Sequence, residues 1–320
     1  MQFVALLLIL ISFPAFAEQQ GFDDWLADLK REALSRGIDA EVVDDAFDKV
    51  DEPSGDIVAL DHKQPEHTQT FTEYSEGVLT ARRIKAAKEA YYKHRKILKR
   101  VEAKYHVPAP ILIALWSVES NLGEHQGDYS VIESLATLAY DGRRSQFFRG
   151  QLFDALRILQ DEDMSADELT GSWAGAMGQT QFMPSNFLKF AVDFDGEGKR
   201  DIWNNDADAL ASIANYLHSK GWNHKAGWGM AVALPDSEDV EALRLEKSEH
   251  TLKEWNKRGF RQVNGKRLPR TATRAHLVVP DDAVSTAYLA FPNYNILMDW
   301  NHSIYFATTV GLLADAVGKK

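Results

Sequence analysis

Apolar residues recur at helical spacing along most of this chain, with short stretches of strand-like alternation only near its end. Asp23 to Arg36 and Ala40 to Val50 predict two helices, the first opened by Asp23 and Asp24. Asp51 to Gln69, polar and holding Pro53 and Pro65, reads as a loop. Ser75 to Tyr105 then reads as one long helix. It carries ten Lys or Arg between Arg82 and Lys104, against only Glu89 and Glu102. That face is either a solvated surface or a basic wall for an anionic polymer. Pro108 and Pro110 suit the first turn of a helix holding Ile111, Leu112, Ala114, Leu115, Trp116 and Val118, with Gly123 placed to end it.

Further helices are predicted at Ser130 to Ala139, Ser145 to Asp161, Asn186 to Val192, Asp206 to Lys220 and Thr251 to Lys257. His276 to Val279 and Ala287 to Trp300 look strand-like and are broken by Pro280 and Pro292, which predicts a small β element. Ser303 to Val317 closes the chain as an amphipathic helix. The fold class is therefore mainly α. A division follows into an N-terminal helical region (18–105), a central core (106–230) and a C-terminal region with the β element and closing helix (231–320).

Composition narrows the picture. With 320 residues, 45% hydrophobic and 26% charged, the chain can bury a large core. Its net charge of −11 excludes broad nucleic-acid binding, which needs a surplus of cations facing phosphates. Having no cysteine, it makes no disulfide, thiolate metal site, cysteine nucleophile or lipidated N-terminal cysteine.

The N-terminus reads as a secretory signal. Phe3 to Phe13 is apolar but short, and Ala15-Phe16-Ala17 offers small residues for cleavage after Ala17. No Lys or Arg precedes that point, which departs from the usual signal; an uncleaved anchor is the alternative. Cleavage would leave a periplasmic protein with no stable membrane anchor.

Two segments carry the chemistry. In ALWSVESNLG, a single carboxylate, Glu119, follows an almost continuous apolar run. Burial disfavours the ionised form and raises the pKa, as a general acid near neutral pH requires. Taken alone, Glu119 could equally be an exposed last-turn glutamate, or one satisfied by a buried arginine. In GSWAGAMGQTQFMPS, Gly171, Gly175 and Gly178 allow close backbone approach, Ser172 and Gln181 offer hydrogen bonds, and Phe182 and Met183 offer apolar surface. Taken alone, a tight interhelical turn is the alternative. No HExxH, Walker or dinucleotide fingerprint is present.

Together with SLATLAYDGRRSQFF, AVDFDGEGKRDIW, SIANYLHSKGW and WNHSIYF, these segments resemble the lytic murein transglycosylase B family, peptidoglycan-cleaving enzymes with a lysozyme-like core. The likeness runs in family order from about Tyr74 to Val317. It implies a lysozyme-like helical core with an additional helical lobe, and peptidoglycan glycan strands as the partner. Glu119 would be the catalytic acid/base, Ser172 would orient it, and Gln181 would bind the N-acetyl region. Tyr74, Arg143, Arg144, Phe182, Tyr216 and Asn301 would line the glycan cleft. Phe147 and Trp300 stand where some relatives have tyrosine, so hydroxyl hydrogen bonds would be lost there and stacking kept.

The resemblance implies one carboxylate and no cofactor for the chemistry, with the substrate's N-acetyl group assisting and a 1,6-anhydromuramoyl product. A hydrolytic muramidase or a non-catalytic peptidoglycan-binding protein are the rivals. Glu124, Asp128 and Glu133 read as surface charges.

Asp193 to Lys199 resembles the start of an EF-hand loop, with Asp193, Asp195 and Glu197 as side-chain ligands and Lys199 offering its carbonyl. Asn204 stands at the twelfth position, so a later acid, Asp208 or else Asp206, would close the site. Structural calcium, sodium or a metal-free acidic turn all fit this pattern. Trp222 and Trp228 read as core residues or as a sugar platform.

Overall fold

The computed structural model describes residues 21–63, 69–235, 239–245, 248–280 and 286–319. The expected signal segment, 1–17, lies outside the described residues. Helices dominate, as the periodicity predicts. The first two are α1 (Phe22–Ser35) and α2 (Ala40–Phe47). The expected loop after them holds α3 (Gly55–His62), because Pro53 lies ahead of the helix and Ser54 takes the N-cap position.

The expected long helix is three: α4 (Phe71–Val78), α5 (Ala81–Lys93) and α6 (Arg95–Tyr105). Thr70 and Glu73 close α4 with a capping box, and the Thr80 hydroxyl accepts the Arg83 N–H to start α5. At the second break His94 turns inward, edge-on to Trp116 with ring centres 5.3 Å apart. Each break re-aims an apolar face: Ala87 and Ala90 on α5, then Leu98 and Val101 on α6, all reach the core.

Helix α7 (Ala109–Ser120) is the axis of the molecule. It is apolar on nearly every side, so it must be surrounded. Its neighbours are α5, α6, α11 (Asp206–Ser219) and the closing α15 (Ile304–Gly318). Between α7 and α11 run β1 (Tyr129–Ser130), α8 (Val131–Tyr140), α9 (Ser145–Glu162), β2 (Thr170–Gly171) and α10 (Pro184–Phe190). The β1 and β2 strands pair antiparallel, placing the glycine-bearing loop beside the end of α7.

The β element is larger than its sequence pattern predicts. Strands β3 (Gly229–Ala233), β4 (His250–Thr251), β5 (Arg261–Gln262), β6 (Arg274–Val278) and β7 (Thr286–Ala290) form an antiparallel sheet in the order β4-β6-β7-β3-β5. With α12 (Val240–Leu245) and α13 (Leu252–Lys257) it builds a second core around Trp255, Phe260 and Leu289. Residues 292–300 are not strand: Pro292 starts α14 (Pro292–Trp300), since proline suits the first turn of a helix and cannot donate to a sheet. Helix α15 leaves the sheet and packs on α7 and α5.

Trp222 and Trp228 are both buried. Trp228 donates to Asp315 and lies over Gly311 so closely that an added Cβ would sit 2.2 Å from the ring. Gly311→Ala is therefore expected to cost about 1–3 kcal/mol through overpacking, read as a lowered midpoint in denaturant. An unchanged midpoint would show that this contact is slack. Among the described residues no helix is long and apolar enough to cross a membrane.

Candidate active site

Glu119 sits on the last turn of α7, one residue before its end. The chain leaves the helix through Asn121, in the left-handed region at φ 51°, and the Leu122 N–H bonds back to the Trp116 carbonyl. Asn121 therefore ends the helix, ahead of the expected Gly123. Glu119 keeps some solvent contact along its side chain, but its carboxyl is desolvated. Burial pushes its pKa up to about 7, partly opposed by a hydrogen bond from Trp300. Among the described residues no neighbouring carboxylate contributes to that shift.

Trp300 supplies what its sequence position seemed to give up. Its indole Nε1–H donates to Glu119 Oε1 at 2.5 Å, so a donor is present without a tyrosine hydroxyl. The ring is propped from below by Phe182 (5.4 Å between centres) and Tyr216 (4.8 Å). Both of those residues are buried, so they stand beneath the site and not along an open groove. Tyr216 is further tied down by its hydroxyl, which donates to the Asp299 carbonyl.

Trp300→Phe removes the one bond that lowers the Glu119 pKa. The alkaline limb of kcat/KM is then expected to move to higher pH, since the acid stays protonated longer. A limb that stays in place or moves down would separate the indole from proton control.

The loop after β2 is drawn tight against α7. Gly178 adopts φ 59°, and a Cβ there would meet the Ile202 carbonyl at 2.8 Å. Gln181 Nε2 donates to the Gln126 and Gly178 carbonyls, both at 2.9 Å, leaving its own carbonyl oxygen to accept. The Ser172 hydroxyl accepts from the Ala176 N–H at 3.1 Å, and among the described residues it makes no bond to Glu119. Tyr74 is brought near by its ring contact with Tyr305, and the Glu119 charge helps burial to raise its pKa.

Arg143 and Arg144 lie between α8 and α9. They clamp the fully buried Asp61 of α3 at 3.0 and 2.9 Å. Asn301 is exposed just past α14, and Phe147 is exposed against Phe148. Among the described residues none of these four hydrogen-bonds Glu119.

Sequence reasoning missed three residues. Asp61 fell in an expected loop. Gln179 is buried, accepts from Trp116 Nε1 at 2.8 Å, and takes the Ser120 hydroxyl on its backbone carbonyl, locking the loop to α7. Gln126 anchors Gln181. The polar GQTQ run within an otherwise small-residue loop was the available signal for Gln179.

The acidic loop folds as a cradle. Asp193 accepts the N–H groups of Gly196, Glu197 and Gly198, which hold its pKa down. Asp208 is fully buried and accepts from Phe194 and Asp201; burial raises its pKa to about 6, with Asp195 and Asp193 adding to the rise. Oxygen atoms of Asp193, Asp195 and Asp208 lie within 4.8 Å of one another. Asp206 instead faces Gln179 and His94. Converging carboxylates with no soft donor fit a hard dication. Glu197 and Lys199 are exposed beside them. A cavity of about 1030 Å³ opens between this loop and Gln126, but Glu119 is not on its wall.

Glu119, desolvated at the end of the central helix with a fixed N–H donor and a glycine-bearing loop alongside, marks the candidate active site. The chain belongs to the transglycosylase SLT domain family, whose family model matches residues 21–315. It is 30% identical over 251 residues to membrane-bound lytic murein transglycosylase B of Escherichia coli (strain K12), covering 76% of this chain and 66% of that protein's length. Its fold is similar to that of SltB3 from Pseudomonas aeruginosa in complex with NAG-NAM-pentapeptide, with TM-score 0.89, 43% identity, and 94% and 80% of the two chains covered. It is also similar to the Escherichia coli lytic transglycosylase SLT35 in complex with calcium, with TM-score 0.77, 25% identity, and 91% and 92% covered.

Proposed function

We propose that this protein is a periplasmic lytic transglycosylase, exported by the signal segment and cleaving the β-1,4 bond between N-acetylmuramic acid and N-acetylglucosamine in peptidoglycan. The observation that carries this reading is Glu119: a desolvated carboxyl with a pKa of about 7 and, among the described residues, no carboxylate partner. Most glycosidases need a second acid to activate water or attack the sugar. A group poised near neutrality can instead give a proton and then take one back.

Protonated Glu119 donates to the glycosidic oxygen as its bond to C1 breaks. The carbonyl oxygen of the muramic acid's own N-acetyl group closes on C1 and holds the positive charge. Gln181, its amide nitrogen already committed, offers its carbonyl oxygen to the N-acetyl N–H. The Glu119 carboxylate then takes the proton of the C6 hydroxyl while that oxygen displaces the N-acetyl oxygen from C1. The products are a free N-acetylglucosamine end and a 1,6-anhydromuramoyl end, with no water consumed.

Trp300 holds the carboxyl in place, and Ser172, with its hydroxyl proton uncommitted, orients it once substrate displaces solvent. Tyr74, Arg143, Arg144 and Asn301 line the outer cleft, while Phe182 and Tyr216 keep Trp300 rigid. Asp193, Asp195 and Asp208, with Glu197 and the Lys199 carbonyl at the rim, hold a structural calcium ion, consistent with the calcium complex of the SLT35 relative.

Mass analysis of fragments released from sacculi in 18O-water tests the reaction. Anhydro fragments without heavy oxygen are expected. Fragments heavier by one labelled water would make the protein a muramidase, and no fragments would leave it a binding protein.

A further inference from the structure

We infer that the β-sheet unit carries a second contact for the wall polymer, a basic pocket that binds the carboxylates of its peptide arms. The pocket lies away from the active site, between α13, β5 and the segment leading into β6, and encloses about 750 Å³. Lys253, Lys257, Arg261, Arg267 and Arg270 line it, and among the described residues no acidic one does. In a chain of net charge −11 that concentration of one sign is unusual, and mutual repulsion makes it costly to assemble without an anionic occupant.

The cations are free to act. Among the described residues Lys253, Lys257, Arg267 and Arg270 form no ion pair, while Arg261 donates to the Asn256 and Phe260 carbonyls. Nearby carboxylates are already engaged: Glu249 with Arg274, and Glu254 at the N-cap of α13 with Thr251.

The walls are also built in advance. Asn256 bonds both the N–H and the carbonyl of Leu268, and Gln262 Nε2 donates to the Arg267 carbonyl, fixing the segment that bears Arg267 and Arg270. Guanidinium groups suit planar carboxylates, which they grip with paired hydrogen bonds. A bounded hollow fits a short acidic peptide, whereas an extended polyanion would have to lie along an acidic body.

This inference rests on the peptidoglycan reading, since peptide arms with free carboxylates come with that polymer. It would give the enzyme a grip on the wall that is independent of the bond being cut.

Co-sedimentation of the Glu119→Gln protein with intact sacculi measures that grip without digestion. Amidating the sacculus carboxylates with carbodiimide and methylamine is expected to weaken binding at least fivefold. Added Lys253→Glu and Arg270→Glu should weaken binding to native sacculi to the same extent and abolish the difference between native and amidated material. Lys253→Gln with Arg270→Gln should show a smaller loss in the same direction. In otherwise wild-type protein these changes should leave turnover of peptide-free glycan strands intact.

Equal binding to native and amidated sacculi would overturn the inference. So would stronger binding to phosphatidylglycerol vesicles than to sacculi. Failure to form anhydro product would sink the proposed function instead, while the native-to-amidated ratio would still judge the pocket.

Discussion

Replacing Glu119 with glutamine is expected to lower turnover of glycan strands by about 10⁴-fold, near the top of the range for a group that acts as both acid and base. Glutamine keeps the shape and can still accept from Trp300, so the loss isolates the proton. The same variant should be more stable than wild type at alkaline pH. Glu119 has a folded-state pKa of about 7, above its ordinary 4.5. Its protonated form is therefore tolerated fully below about pH 4.5, and stability is lost as pH rises through 7 and the buried group ionises. After allowance for its residual solvent contact, the glutamine variant should gain on the order of 2 kcal/mol at pH 8 and nothing at pH 4. Chemical denaturation across that range reads the gap. A variant that is inactive but shows no pH-dependent gain would mean the carboxyl is not held in a dry site.

Asp208→Ala is expected to have the largest effect on stability, about 3–5 kcal/mol. It leaves the half-buried N–H groups of Phe194 and Asp201 without their acceptor, each costing about 1–3 kcal/mol. It should also erase the response to calcium. Wild type should melt higher with millimolar calcium and lower with chelator, by mass action on the folded state. Without metal, the Asp208 pKa of about 6 lies above its ordinary 3.8, so stability falls as pH rises through that window. A bound dication reverses this slope by favouring the carboxylate. Thermal melts at pH 4 and pH 7, with and without calcium, test both statements. An Asp208→Ala protein that still gains stability from calcium would place the ion elsewhere.

Much of the machinery was legible before any coordinates. Two prolines marked the start of α7, its unbroken apolar run foretold a buried helix, and Glu119 at its end stood out as the one charge there. The acidic loop showed its alternating oxygens, though Asn204 left open which later acid closes it. Helix α11 answers that: Asp208 turns toward the loop and Asp206 toward Gln179.

Other readings failed for definite reasons. The stretch 75–105 has one continuous helical period, yet Thr80 and His94 redirect it, because a capping hydroxyl and a buried ring act through contacts that periodicity does not register. Phe182 and Tyr216 carry side chains suited to a sugar, but the fold puts them under Trp300. Asp61 and its two arginines meet across 82 and 83 residues of chain, beyond any local pattern.

By itself, then, the sequence determined the helical class, the apolar run of α7 and the oxygen-rich loop, since each follows from neighbours along the chain, while Glu119 was singled out through the family resemblance. Only the tertiary structure decided how dry that acid is and that an indole, not a hydroxyl, binds it. It alone gathered the five cations of the sheet unit around one hollow. Desolvation and hydrogen-bond geometry depend on segments up to 181 residues apart, as for Glu119 and Trp300, and packing alone brings them together.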